Sequence, residues 1–163
     1  MHKMLKFTNV EIEFDVRFSG GKSFNVVIDD KHEKSVHAGH ICRVSIFPKR
    51  VVIADDKSGA MNLEIRALRQ HKHLPSDQAK ELDELLAKKR QAGKVAMDNG
   101  QWHHVRVVIN DDTMETHVDG KQVARLQSSG IAHPTKTNVG LTVNGATIHF
   151  DNLQVRTDHQ FQN

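Results

Sequence analysis

The chain has 163 residues, 37% hydrophobic and 26% charged, with a formal net charge of +3, which is the profile of one globular domain with room for a two-layer core. The cations are scattered instead of gathered with aromatics on one face, which argues against a nucleic-acid partner, and no apolar run approaches the roughly 18 residues of a membrane-spanning helix. Cys42 is the single cysteine, so no intrachain disulfide forms, and its alternation with Val44 and Ile46 reads as a buried core thiol.

Alternation with a period of two dominates the first half. In "VEIEFDVRF" (Val10 to Phe18), Val10, Ile12, Phe14, Val16 and Phe18 form one face and Glu11, Glu13, Asp15 and Arg17 the other, the pattern of a half-buried strand. "SGGK" turns the chain into "SFNVVID", and strands are then expected at "HICRVSIF" (His40 to Phe47), "RVVIAD" (Arg50 to Asp55) and "MNLEIRAL" (Met61 to Leu68). "ADDKSG" reads as a hairpin turn, with a calcium loop as the weaker alternative.

A helix follows. Pro75 and Ser76 mark its start, Gly93 its expected end, and Ala79, Leu82, Leu85 and Leu86 form a narrow apolar stripe. Strands resume at "WHHVRVVIN". Asp119-Gly120 predicts a type I′ turn between "METHV" and "KQVARL", and Asn144-Gly145 a second hairpin. The closing strand turns Ile148, Phe150, Leu153 and Val155 inward, with a bulge at Asp151-Asn152. About nine strands with short turns predict an all-β, antiparallel two-sheet β-sandwich of jelly-roll type. It is a single domain over 1–163, with one inserted surface helix at about 69–95.

Four stretches, "VEIEFDVRF", "SFNVVIDDKHEKSVHAGHICRVSI", "GQWHHVRVVINDDTMETHVDGKQVA" and "GIAHPTKTNVGLTVNGATIHFDNLQV", together resemble the 3-keto-disaccharide hydrolase family. That family belongs among the concanavalin-A-like lectins and glucanases, with laminin-G-like domains as cousins, and "GIAHPTKT" is similar to a bacterial subgroup. The resemblance implies a carbohydrate partner and a polar concave face that binds it. It also implies, as the alternative to binding alone, cleavage of glycosides oxidised at C3. There a base removes the acidified C2 proton and a divalent ion is a candidate for polarising the ketone. A non-catalytic protein-interaction module is the remaining alternative. Family members carry a strand or two before the "VEIEFDVRF" equivalent, which leads to the expectation of an uncovered edge near Phe7, completed by a partner chain or a homo-oligomer. Export as part of a larger protein is the expected location, with a cytoplasmic one left open.

Glu13 and Asp15 are the candidate catalytic pair. A regular strand separates i and i+2 by roughly 6.7 Å, close to the spacing of roughly 6.5–9.5 Å between inverting glycosidase carboxylates. The bland alternative is a solvated face balanced by cations on neighbouring strands. Arg17, Arg43, His104, Arg106, His149 and Asp151 are the candidate binding residues. His37 and His40, near Asp29, Asp30 and His32, are the candidate metal ligands, set against a simple polar loop. Trp102 reads as a core plug ahead of a sugar-stacking platform.

Overall fold

A computed structural model describes residues 6–158. Among these residues ten strands and two α-helices form: β1 (Val10–Phe18), β2 (Gly21–Asp29), β3 (His40–Phe47), β4 (Arg50–Asp55), α1 (Leu63–Gln70), α2 (Ser76–Lys88), β5 (Arg90–Lys94), β6 (Trp102–Asn110), β7 (Thr113–Val118), β8 (Lys121–Gln127), β9 (Asn138–Gly145) and β10 (Ile148–Thr157). They stack as two antiparallel five-stranded sheets, ordered β10-β1-β6-β7-β8 and β5-β4-β3-β2-β9. The expected all-β sandwich is therefore the observed fold.

Alternation does the work. Every apolar residue of β1 named above is buried, and Phe14, Phe18 and Phe24 are among the largest fully buried side chains. Each such burial stabilises by roughly 1.5–3 kcal/mol. Rings from both sheets meet edge to face, Phe14 with Phe24 at 5.7 Å between centroids and Phe24 with Phe150 at 5.0 Å. Val26, Val44 and Val107 share this core, and Leu141 and Phe150 pack against it from its border.

Several local expectations change. Met61 to Leu68 is not a strand: Asn62 Oδ1 accepts from the N–H groups of Glu64 and Ile65 at 3.1 and 3.3 Å, and that cap starts α1. A short apolar alternation fits either structure, and the cap decides. The insertion therefore carries two helices. The second ends at Lys88, and Gly93 lies within β5. Asn144-Gly145 is not a hairpin turn, because β9 pairs with β2 and β10 with β1, so the link crosses between sheets. The expected bulge is present: Gln154 and Asp151 of β10 oppose Glu13 and Asp15 of β1, and Asn152 takes φ 53°.

The edge expected near Phe7 is also corrected. Phe7 is buried and bridged to Lys136, and β1 lies inside its sheet between β10 and β6. The open side runs instead along the edge strands β9 and β10, where Val143, Leu153 and Val155 stay exposed and, among the described residues, no strand lies beyond either one. Trp102 is no core plug. It is 46% exposed, with the Arg17 guanidinium 4.9 Å over its ring.

On the opposite side β5 lies directly against β8. A Cβ on Gly93 would stand 1.6 Å from the Val123 carbonyl oxygen, so only glycine permits this approach. Gly93→Ala is expected to destabilise the domain by about 1–3 kcal/mol or more, read as a lowered urea midpoint. An unchanged midpoint would mean that β5 can separate from β8 without cost.

Candidate functional site

The sandwich offers two outer faces, and the candidate residues divide between them. On the first sheet, β1 turns Glu11, Glu13, Asp15 and Arg17 outward between β6 and β10. Register places Arg106 beside Glu13, His104 beside Asp15 and Arg156 beside Glu11. Arg106 donates to Glu11 at 2.7 Å and stands 3.6 Å from Glu13. Arg156 reaches both glutamates, Glu13 at 2.6 Å. Asn152 donates to Asp15 at 2.6 Å, and His104 Nδ1 lies 2.9 Å from the same carboxylate.

These partners hold carboxylates in the charged form. Hydrogen bonds from Arg106 and then Arg156 lower the Glu11 pKa, and those from Asn152 and then His104 lower that of Asp15. The face thus gathers Glu13, Asp15, His104 and Arg106, with Arg17 stacked on Trp102. His149 and Asp151 sit opposite Arg17 and Asp15 on β10. It is a ladder of neutralised charge.

Arg43 belongs to the other sheet. There Arg43, Ser45 and Phe47 of β3 lie beside Ala54, Val52 and Arg50 of β4, and Arg90 of β5 stands beside Ala54. Small side chains leave a hollow, and the helical insertion roofs it with Ala60, Arg69 and Leu86. The result is a cleft of about 210 Å³. A polar row continues the floor: Ser45 donates to Asn25 at 2.7 Å, and Asn25 donates to Thr142 at 3.0 Å.

Two adjacent aspartates at the end of β4 line this cleft with opposite roles. Asp55 is internally satisfied, accepting from the Ser58 and Ser128 hydroxyls at 2.5 Å each and from the Ser58 and Gly130 N–H groups at 3.0 Å. Asp56 is only 1% exposed, its Oδ2 lies 3.3 Å from Arg43 Nε, and its Oδ1 has no hydrogen-bond partner among the described residues. Burial pushes its pKa up to about 6; Arg43 and His40 oppose the rise, and Asp55 and Asp29 reinforce it.

Sequence reasoning passed over this residue by reading "ADDKSG" as a turn. The available signal was the Asp-Asp-Lys that closes both β2 and β4. Asp30 of the first pair is likewise used internally, bonded to His133 and Thr135 at 2.8 Å. The ring centroids of His37 and His40 are 6.2 Å apart, and His40 Nδ1 pairs with Asp29 at 2.8 Å. Among the described residues no group of three or more His, Cys, Asp or Glu side chains is arranged to hold a metal ion.

Sequence comparison with family models matches residues 1–156 to the 3-keto-alpha-glucoside-1,2-lyase-like domain. The chain belongs to that family. No curated protein matches the chain at the sequence level. Among solved structures, the carbohydrate-binding module CBM66 from Bacillus subtilis is similar at a TM-score of 0.58 and 14% identity, over 94% of this chain and 78% of that one. The Caenorhabditis elegans galectin LEC-6 aligns at 0.56 and 9% identity over 93% and 86%. Sheep galectin-11 in complex with glycerol aligns at 0.51 and 9% over 90% and 92%. At these identities the likeness is one of fold.

The buried carboxylate gives the lyase-like domain a measurable signature. Because the Asp56 pKa is higher in the folded than in the unfolded chain, the folded state binds this proton more tightly. The cost of burying the charge is absent below the ordinary value of 3.8 and complete above about 6. A rise of that size corresponds to about 3 kcal/mol, an upper bound because Arg43 loses its partner in any neutral variant. Asp56→Asn is therefore expected to raise stability at pH 7, with the gain disappearing as the pH falls from 6 to below 4. Urea midpoints of both proteins across that range check it, and a variant that is less stable at every pH would contradict it.

Proposed function

We propose that this domain binds a small carbohydrate in the cleft between the second sheet and the helical insertion. The carrying observation is the Arg43–Asp56 pair: a guanidinium 3.3 Å from a buried carboxylate whose other oxygen has no hydrogen-bond partner among the described residues. A sugar hydroxyl donates and accepts at once, so it has the bonding pattern that such a pair needs. The fold shared with a carbohydrate-binding module, and the polar row of Asn25, Ser45 and Thr142 beside the cleft, support the same reading.

The family description favours a glycoside oxidised at C3. In that substrate Arg43 would donate to the ketone oxygen, and Asp56 is the group suited to take the C2 proton. The electron pair released from C2–H forms the C1–C2 double bond as the C1–O bond to the aglycone breaks, and the departing oxygen takes a proton from solvent to leave as the alcohol. The Asp56 pKa of about 6 supports this second, catalytic reading, since a base works best when its pKa lies near the working pH. The donor set for a divalent ion is not assembled among the described residues, so polarising the ketone falls to Arg43 in this scheme.

Calorimetry with methyl 3-keto-α-glucoside and its unoxidised parent tests the site. Arg43→Ala is expected to weaken binding at least tenfold, about 1.4 kcal/mol, whereas Glu13→Gln on the opposite face leaves it unchanged. Loss of binding in Glu13→Gln with Arg43→Ala intact would move the site to the charged ladder. If the wild type releases methanol from the keto-glycoside and Asp56→Asn does not, the catalytic reading holds. Binding without release would leave a recognition module.

A further inference from the structure

The charge around the cleft says more about the ligand than its shape does. Five cations line it, Arg43, Arg50, Arg69, Lys89 and Arg90, against two carboxylates, Asp55 and Asp56. Asp55 is fully engaged, and one oxygen of Asp56 is offset by Arg43. Asp55 is held by Ser58, Ser128 and Gly130, with Lys89 Nζ 3.8 Å away, and Asp56 lies beside Arg43. Three guanidiniums remain, from β4, α1 and β5, and among the described residues none of them has an ion-pair partner.

Each of the three is placed by something other than an acid. Arg50 lies 4.5 Å over the Phe47 ring, Arg69 donates to the Ala60 carbonyl at 3.4 Å, and Arg90 is set by the pairing of β5 with Ala54 of β4. Three like charges lining one cleft repel one another, and a bound anion would relieve that repulsion. The other outer face shows the contrast, since there each carboxylate of β1 meets a cation or an amide. Guanidinium forks match the oxygens of carboxylate, sulfate and phosphate groups, and Arg keeps its charge at any physiological pH. The hollow is smaller than the roughly 300–1,000 Å³ of drug-sized sites, which suits one sugar unit.

We propose that the sugar recognised here is an acidic one, whose negatively charged substituent is read by Arg50, Arg69 and Arg90 while Arg43 and Asp56 hold its hydroxyls. This rests on the cleft being the carbohydrate site. The test is calorimetry or NMR titration of the whole chain with methyl glucoside, glucuronate, glucose 6-phosphate, glucose 6-sulfate and acetate, at low and at raised salt. At least one charged sugar is expected to bind tenfold or more tightly than methyl glucoside, with the advantage shrinking as salt rises. Whichever arm is tightest, carboxylate, phosphate or sulfate, identifies the substituent. In the double variant Arg69→Gln, Arg90→Gln, whose replaced side chains are both exposed, the ratio of charged to neutral affinity is expected to fall toward one.

Equal binding of neutral and charged sugars would overturn the inference and leave the carbohydrate site standing. Acetate binding as tightly as glucuronate would also overturn it, since the arginines would then be a plain anion site. Failure of every sugar, neutral and charged, would overturn the site itself.

Discussion

The contact on which the rest of this domain depends is the cluster of phenylalanine rings between its sheets. Phe14 and Phe150 from one sheet meet Phe24 from the other edge to face, with centroids 5.0 to 5.9 Å apart. This geometry sets the spacing of the layers and favours one register. In a strand, residues that share the inner face leave their immediate neighbours on the outer one. Fixing Phe14 inside therefore sends Glu13 and Asp15 outward, and fixing Val44 inside does the same for Arg43 and Ser45. The chemistry available on each surface follows from how the core is packed.

The two surfaces use their charges differently. On the β1 side, acids and bases interleave across three strands, and each carboxylate is held by an arginine, a histidine or an asparagine. That network occupies the β1 carboxylates, although Arg17 Nε on the same face has no hydrogen-bond partner among the described residues. On the β3–β4 side the register brings small residues to the middle of the sheet, and the insertion between β4 and β5 covers the hollow. Water is partly excluded there, and among the described residues a carboxylate oxygen remains without a partner. Burying such a group costs stability, and proteins tolerate such costs where function needs them.

The paired aspartates at the ends of β2 and β4 show how one short motif can serve both structure and site. Asp30 and Asp55 tie distant loops to the sandwich, bonding His133 and Thr135 in one case and Ser128 and Gly130 in the other. Their neighbours, Asp29 and Asp56, meet His40 and Arg43 instead. The loops secured by the first pair hold the end of the sheet in place, so the second pair faces a formed surface. Lys136 adds to this frame. It is fully buried, donating to the carbonyls of Thr8 and His133, and burial lowers its pKa to about 8.

The sandwich itself was legible in the chain. A strict two-residue period commits a strand to one buried face whatever lies opposite, so Phe14, Val26, Val44 and Val107 could be placed inside before any partner strand was known. The bulge and one turn were readable too, because Asn152, Asp119 and Gly120 act through local backbone preference, whereas Asn144-Gly145, alike in sequence, links the two sheets instead. Order within the sheets was not local. The same alternation fits an edge or a central strand, and only tertiary pairing put β1 in the middle and left β9 and β10 open. The short run from Met61 to Leu68 carried both helix and strand patterns, and a side-chain cap from Asn62 decided between them. The site was least legible. Asp55 and Asp56 are identical in sequence terms, and their difference arises from Ser128, Gly130 and Arg43, which the fold brings in from elsewhere in the chain. Burial of a charge depends on everything packed around it, and no local stretch of sequence contains that information.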